Sequence, residues 1–155
     1  LFSTQMVQAI LEGRKTQTRR VIKINAAYEW KGWDKENNII FNNPKDPDTW
    51  GIGIAIKCPF GQIGDHLWVR EIHCEYSRIL LEITDIKIER VQDITEEDAK
   101  TEGIWGKDEP YQGVGDLPSD RFARLWDKLN GKKYPWEANP WVFVIEFKRL
   151  YGYGI

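Results

Sequence analysis

Ile79-Leu80-Leu81-Glu82-Ile83-Thr84-Asp85-Ile86-Lys87-Ile88-Glu89 is the clearest β segment of the chain. Ile79, Leu81 and Ile83 share one face by period-two alternation. Ile86 and Ile88 fall out of that phase, which predicts a bulge or bend near Thr84 and Asp85. Farther on, Trp141-Val142-Phe143-Val144-Ile145-Glu146-Phe147 is almost continuously apolar, the pattern of a strand covered on both faces in the middle of a sheet. Between these two lies a helix start, Ile94-Thr95-Glu96-Glu97-Asp98-Ala99. Thr95 as N-cap and Asp98 at the third helical position make a capping-box-like pair, Ile94 and Ala99 can staple the entry, and the acids suit the positive helix end. Glu102, just before Gly103, falls at the other end. A carboxylate there opposes the helix dipole and costs stability unless a cation pairs with it.

Residues 105–118 read as a glycine- and proline-rich loop, and Phe122, Leu125, Trp126 and Leu129 mark a third amphipathic helix closed by Gly131. Upstream, the turn formers at 34–38 separate two runs of aromatic and branched residues, a hairpin pattern. Trp50-Gly51-Ile52-Gly53-Ile54-Ala55-Ile56 places its isoleucines on one strand face. Cys58-Pro59-Phe60-Gly61-Gln62-Ile63-Gly64-Asp65 is a double turn delivering the chain into His66-Leu67-Trp68-Val69-Arg70-Glu71, a strand by its alternation. Runs of strands with helices at their margins predict an α+β or closed-barrel architecture rather than an alternating parallel sheet.

The 155 residues suit one domain, with insertions at about 25–57 and 105–139. An apolar content of 41%, including 8 Trp, is enough for a packed interior with aromatics to spare. A formal charge of −2 gives no global field to attract a long phosphate backbone, but it leaves room for a local basic patch. The base-rich segment 14–23 and the acid-rich segment 89–102 can be brought together by the fold. Cys58, His73 and Cys74 lack zinc-site spacing, and two cysteines imply no disulfide framework, so no metal or other cofactor is expected. No apolar run approaches the ~20 residues of a membrane span, and the start lacks a signal-peptide pattern, so the expectation is a cytoplasmic protein without membrane contact.

The reactive groups concentrate in Gly13-Arg14-Lys15-Thr16-Gln17-Thr18-Arg19-Arg20. Thr4 can cap a short helix through Met6, Val7, Ile10 and Leu11, with Gly13 as its left-handed terminus. The cluster is then expected on a loop entering a strand near Val21. A solvated basic face is the plain alternative for such a run.

Gly13-x-Lys15-x-x-Thr18-x-Arg20 resembles the signature of ASCH domains, small β-barrel proteins of the PUA-like superfamily associated with RNA and modified nucleosides. The helix from Thr95 and the strand from Trp141 resemble further family elements. The resemblance implies an α+β fold built on a small PUA-like barrel. One branch of the family hydrolyses 4-acetylcytidine with a threonine, a lysine and a glutamate. That branch implies Thr18 as nucleophile, Lys15 as base and Glu102 as its partner. Arg19 and Arg20 would contact substrate, with Arg20 or loop amides at the oxyanion, and Trp30, Trp33, Trp50 and Trp68 are candidates to stack on a base. The expected partner is a nucleoside, nucleotide or short RNA. A non-catalytic RNA or modified-nucleotide binding module is the alternative. A ribonuclease is a further one, although neither histidine lies in the signature.

Overall fold

The computed structural model describes residues 2–25, 27–43, 45, 53–70, 79–104 and 116–152. The predicted bend sits in β6 (Ile79–Arg90), whose pairing with β7 (Trp141–Gly152) shifts register between Ile83 and Asp85. These two long antiparallel strands form the middle of a four-stranded sheet. Its outer members are β1 (Gln17–Val21), beside β7, and β5 (His66–Trp68), beside β6. The apolar run of β7 is explained by its two covered faces. Val142 and Val144 pack with Ala99, Phe122 and Trp126, while Phe143 and Ile145 pack with Ile39, Phe41 and Ile83 on the other side.

The expected hairpin is β2 (Glu29–Trp33) and β3 (Ile39–Asn42), and β4 (Ile54–Ile56) completes a second sheet of three antiparallel strands. Ile39 and Phe41 bury this sheet against β6 and β7, and the Trp141 indole N–H donates to the Tyr28 carbonyl at 2.8 Å. The architecture is α+β. The closed barrel expected from the sequence is not formed by the strand ladders among the described residues. The two sheets meet through side chains, and each ladder ends at its own edges.

Among the described residues three α-helices lie at the margins. In α1 (Thr4–Leu11) the N-cap is Ser3, whose hydroxyl accepts the Met6 N–H, and not Thr4, which is already helical. Gly13 ends the helix with φ of 73°, the left-handed conformation expected of it. In α2 (Glu96–Thr101) Thr95 and Asp98 form the reciprocal capping box, and Ile94 and Ala99 are buried in one cluster. The third helix, α3 (Pro118–Asn130), buries Phe122 and Trp126 but leaves Leu129 exposed. Gly131 follows it with φ of −57°, so it is not the left-handed cap the sequence implied. No helix among the described residues is long and apolar enough to cross a membrane.

Candidate functional site

The basic cluster does not occupy a loop as expected. Its second half is strand β1 itself, held by the β7 register Thr18 to Ile145, Arg19 to Val144 and Arg20 to Phe143. A single antiparallel bridge joins Lys15 to Glu102, just past the end of α2, and the Thr16 N–H donates to the Thr101 carbonyl at 2.9 Å. Gly103 makes this approach possible. It has φ of 80°, and a Cβ on it would stand 2.8 Å from the Lys15 Cβ and 2.9 Å from the Ala9 Cβ.

Strand alternation sends Lys15, Gln17 and Arg19 towards α2. Lys15, only 2% exposed, donates from Nζ to Glu102 Oε2 at 2.8 Å, to the Glu102 carbonyl at 2.8 Å and to the Gln17 carbonyl at 2.9 Å. Arg19 reaches the other Glu102 oxygen, Oε1, at 3.2 Å, then Glu89 at 3.2 Å and Asp98 at 3.5 Å. Its Nε has no hydrogen-bond partner among the described residues. Gln17 donates to Asp98 at 2.8 Å and to the Thr101 hydroxyl. Glu102 is thus clamped by two cations at 5% exposure, the pairing its place at the negative end of a helix demands. The acid-rich and base-rich segments meet here.

Burial holds the Lys15 ammonium below its ordinary range. The Glu102 charge and hydrogen bond oppose that push, and the Arg20 and Arg19 charges add to it. Asp98 ends below its usual carboxylate range although desolvation pushes it up, because hydrogen bonds from Gln17 and Thr95 and the charge of Arg19 outweigh the burial.

Thr18 and Arg20 lie on the opposite face of β1. Thr18 is buried, and its hydroxyl makes no hydrogen bond among the described residues. Phe2 links the two faces: the Arg20 guanidinium is 5.3 Å and Lys15 Nζ 6.0 Å from its ring centroid. Lys15 and Arg20 therefore share Phe2 as a neighbour, whereas Thr18 lies on the strand face opposite Lys15. Of this set, Glu102 borders a hollow of about 440 Å³ between α1 and α3, which Ser3, Met6, Arg14, Arg121 and Leu125 also line.

The tryptophans lie elsewhere. Trp30 and Trp33 are exposed on β2 and Trp68 on β5, and none of them borders the hollow beside Glu102. Trp33 lines a second hollow, of about 570 Å³, on another part of the molecule. Trp50, His73 and Cys74 lie outside the described residues. Among the described residues no group of three His, Cys, Asp or Glu side chains is placed to hold a metal ion.

Sequence reading missed Phe2, Gln17, Glu89 and Thr101 as members of this network, and it took Asp98 for a cap alone. The i, i+2, i+4 spacing of Lys15, Gln17 and Arg19 was the available signal, hidden by placing them on a loop.

The sequence matches no protein-family model and no curated protein. Among solved structures the chain is similar to a DUF984-family protein of Enterococcus faecalis V583. The TM-score is 0.55 and the identity 14%, over 97% of this chain and 73% of that one. It is also similar to an ASCH domain of Lactobacillus crispatus JV V101, with a TM-score of 0.48 and 14% identity over 94% of this chain and 70% of that one. The fold is therefore like that of the DUF984-family protein.

Proposed function

We propose that this chain, with its ASCH-like signature, takes up an acylated nucleoside and hydrolyses its acyl amide, with 4-acetylcytidine as the model substrate. The observation that carries the reading is the buried Lys15–Glu102 pair at 2.8 Å, three residues along the chain from Thr18 on β1. A buried ammonium and carboxylate can exchange a proton at little desolvation cost, because the transfer removes both charges at once. Lys15 then becomes an amine able to act as base, and Glu102 a carboxylic acid able to act as proton donor. Arg19 donates to the second Glu102 oxygen and fixes the orientation of its side chain.

The bond changes follow from these roles. Thr18 Oγ1 forms a bond to the acyl carbon while its proton passes to the Lys15 amine. The acyl carbon–nitrogen bond breaks as the Glu102 acid protonates the departing amine nitrogen. The ion pair is thereby restored, and water cleaves the acyl ester to release acetate and return the Thr18 hydroxyl. Arg20, two residues along the same face, serves in this reading as the donor to the oxyanion, a role typically worth about 3 kcal/mol. The test is release of cytidine and acetate from 4-acetylcytidine, with Thr18→Ala abolishing turnover at unchanged unfolding midpoint. Unchanged turnover in Thr18→Ala would remove the nucleophile assignment.

One observation favours a second reading, that of a binding module. All three N–H donors of the Lys15 ammonium are already taken by protein acceptors, so the resting site is a fixed charge network. Titration with short RNAs at two salt concentrations separates the readings. Tight and strongly salt-dependent binding without turnover supports the module, and nucleoside turnover with weak RNA binding supports the hydrolase.

A further inference from the structure

The hollow of about 570 Å³ has no part in the chemistry above: it shares no residue with the Lys15–Glu102 network. It opens where the two sheets meet, between the β2–β3 turn, the segment 57–65 and the irregular part of β6. Its volume lies in the range of about 300–1,000 Å³ usual for small-molecule sites. One side is the Trp33 ring, 42% exposed, and Ile86 adds apolar surface. Three carboxylates, Glu36, Asp65 and Asp85, line it against the one ammonium of Lys57.

Two of these carboxylates are held by backbone donors. Asp65 Oδ2 accepts the Gln62 N–H at 2.8 Å, and Asp85 Oδ1 accepts the Ile86 N–H at 2.9 Å. The register shift between Ile83 and Asp85 places Asp85 at the bulge, where a strand re-aims a side chain. Lys87 stands 3.6 Å from the outer Asp85 oxygen and is itself shared with Glu146, so it offsets part of the negative charge. The remaining excess is negative, and an exposed indole face attracts cations through its quadrupole. A phosphate-bearing ligand is disfavoured by the same charge.

We infer that this hollow binds a small organic cation, with its ammonium or guanidinium group between the Trp33 ring and the carboxylates. The probe is agmatine, titrated into the intact chain by calorimetry, with adenosine monophosphate as the anionic comparison. Glu36→Gln is expected to weaken agmatine about threefold and Lys57→Gln to tighten it by a similar factor, as one unit charge ~6 Å away does in a water-like dielectric. Trp33→Leu is expected to weaken it about threefold or more, from loss of the cation–π contact. Each variant is checked for an unchanged unfolding midpoint, and Lys57→Gln keeps the test open if Trp33→Leu disturbs the hairpin. Absence of saturable agmatine binding overturns the inference. So does indifference to all three substitutions, or a preference for adenosine monophosphate. Because the two sites share no residue, none of these results bears on acyl hydrolysis.

Discussion

Lys15 Nζ lies 2.8 Å from both Oε2 and the backbone carbonyl of Glu102, so one residue at the end of α2 satisfies two of the ammonium's donors. The contact joins the first helix and strand to the second helix. A buried ion pair of this kind is costly to half-remove, because the surviving charge stays out of water.

Glu102→Ala is expected to destabilise the chain by about 3–5 kcal/mol, the usual cost of orphaning a buried partner. The double variant Lys15→Met with Glu102→Leu is expected to recover much of that loss, since Arg19 keeps Glu89 and Asp98. Urea unfolding of the parent, the single and the double variant checks both points. A single variant as stable as the parent would mean that the network contributes nothing.

Two glycines with left-handed backbone differ in what surrounds them. At Gly13 an added Cβ meets nothing within 4 Å, whereas at Gly103 it meets Lys15 and Ala9 under 3 Å. Gly13→Ala should therefore cost about 1–2 kcal/mol of backbone strain. Gly103→Ala should cost roughly 2–4 kcal/mol, with overpacking added to that strain, and should also impair turnover. Equal losses at the two positions, measured by thermal unfolding, would contradict the tight passage between Gly103 and Lys15.

Asp98 has a folded-state pKa below its ordinary 3.8, so the native state binds fewer protons than the unfolded state in that window. Its stabilisation is present above pH 3.8 and is lost as pH falls through the lowered folded value. Asp98→Asn should be less stable than the parent at neutral pH and should show a shallower loss of stability on acidification. Parallel acid-unfolding curves would refute this.

Lys15 gives the opposite limb. Burial lowers its folded pKa from 10.5, so the unfolded chain binds more protons between that lowered value and 10.5, and stability rises with pH across that interval. Lys15→Met should remove this alkaline rise. Hydrogen-exchange or denaturant measurements on both proteins from neutral to alkaline pH read the difference directly.

Much of this architecture is written in the local pattern. The broken phase of Ile79–Ile88 located the β6 irregularity, the Thr95–Asp98 spacing gave the capping box, and the apolar run from Trp141 marked the central strand. The need for a cation at Glu102 followed from the helix dipole, and Lys15 and Arg19 supply it. What local reasoning missed depends on partners distant in sequence. Ser3 caps α1 in place of Thr4, and β1 begins at Gln17 because β7 offers it a ladder. Among the described residues the second sheet ends at its own edge strands instead of joining a barrel, a pairing choice no single strand encodes. Trp33 fell in a hollow apart from Lys15 because the hairpin's docking angle is set by Ile39 and Phe41 packing across the sheets.

The most direct test is to mix the chain with 4-acetylcytidine, quench in acid within a turnover, and map any acetyl group by peptide mass. The account predicts an acetyl ester on Thr18 that is absent in Thr18→Ala, together with loss of acetate release in that variant. Acetate released by Thr18→Ala at the parent rate, or an acetyl group mapped to another residue, would contradict it.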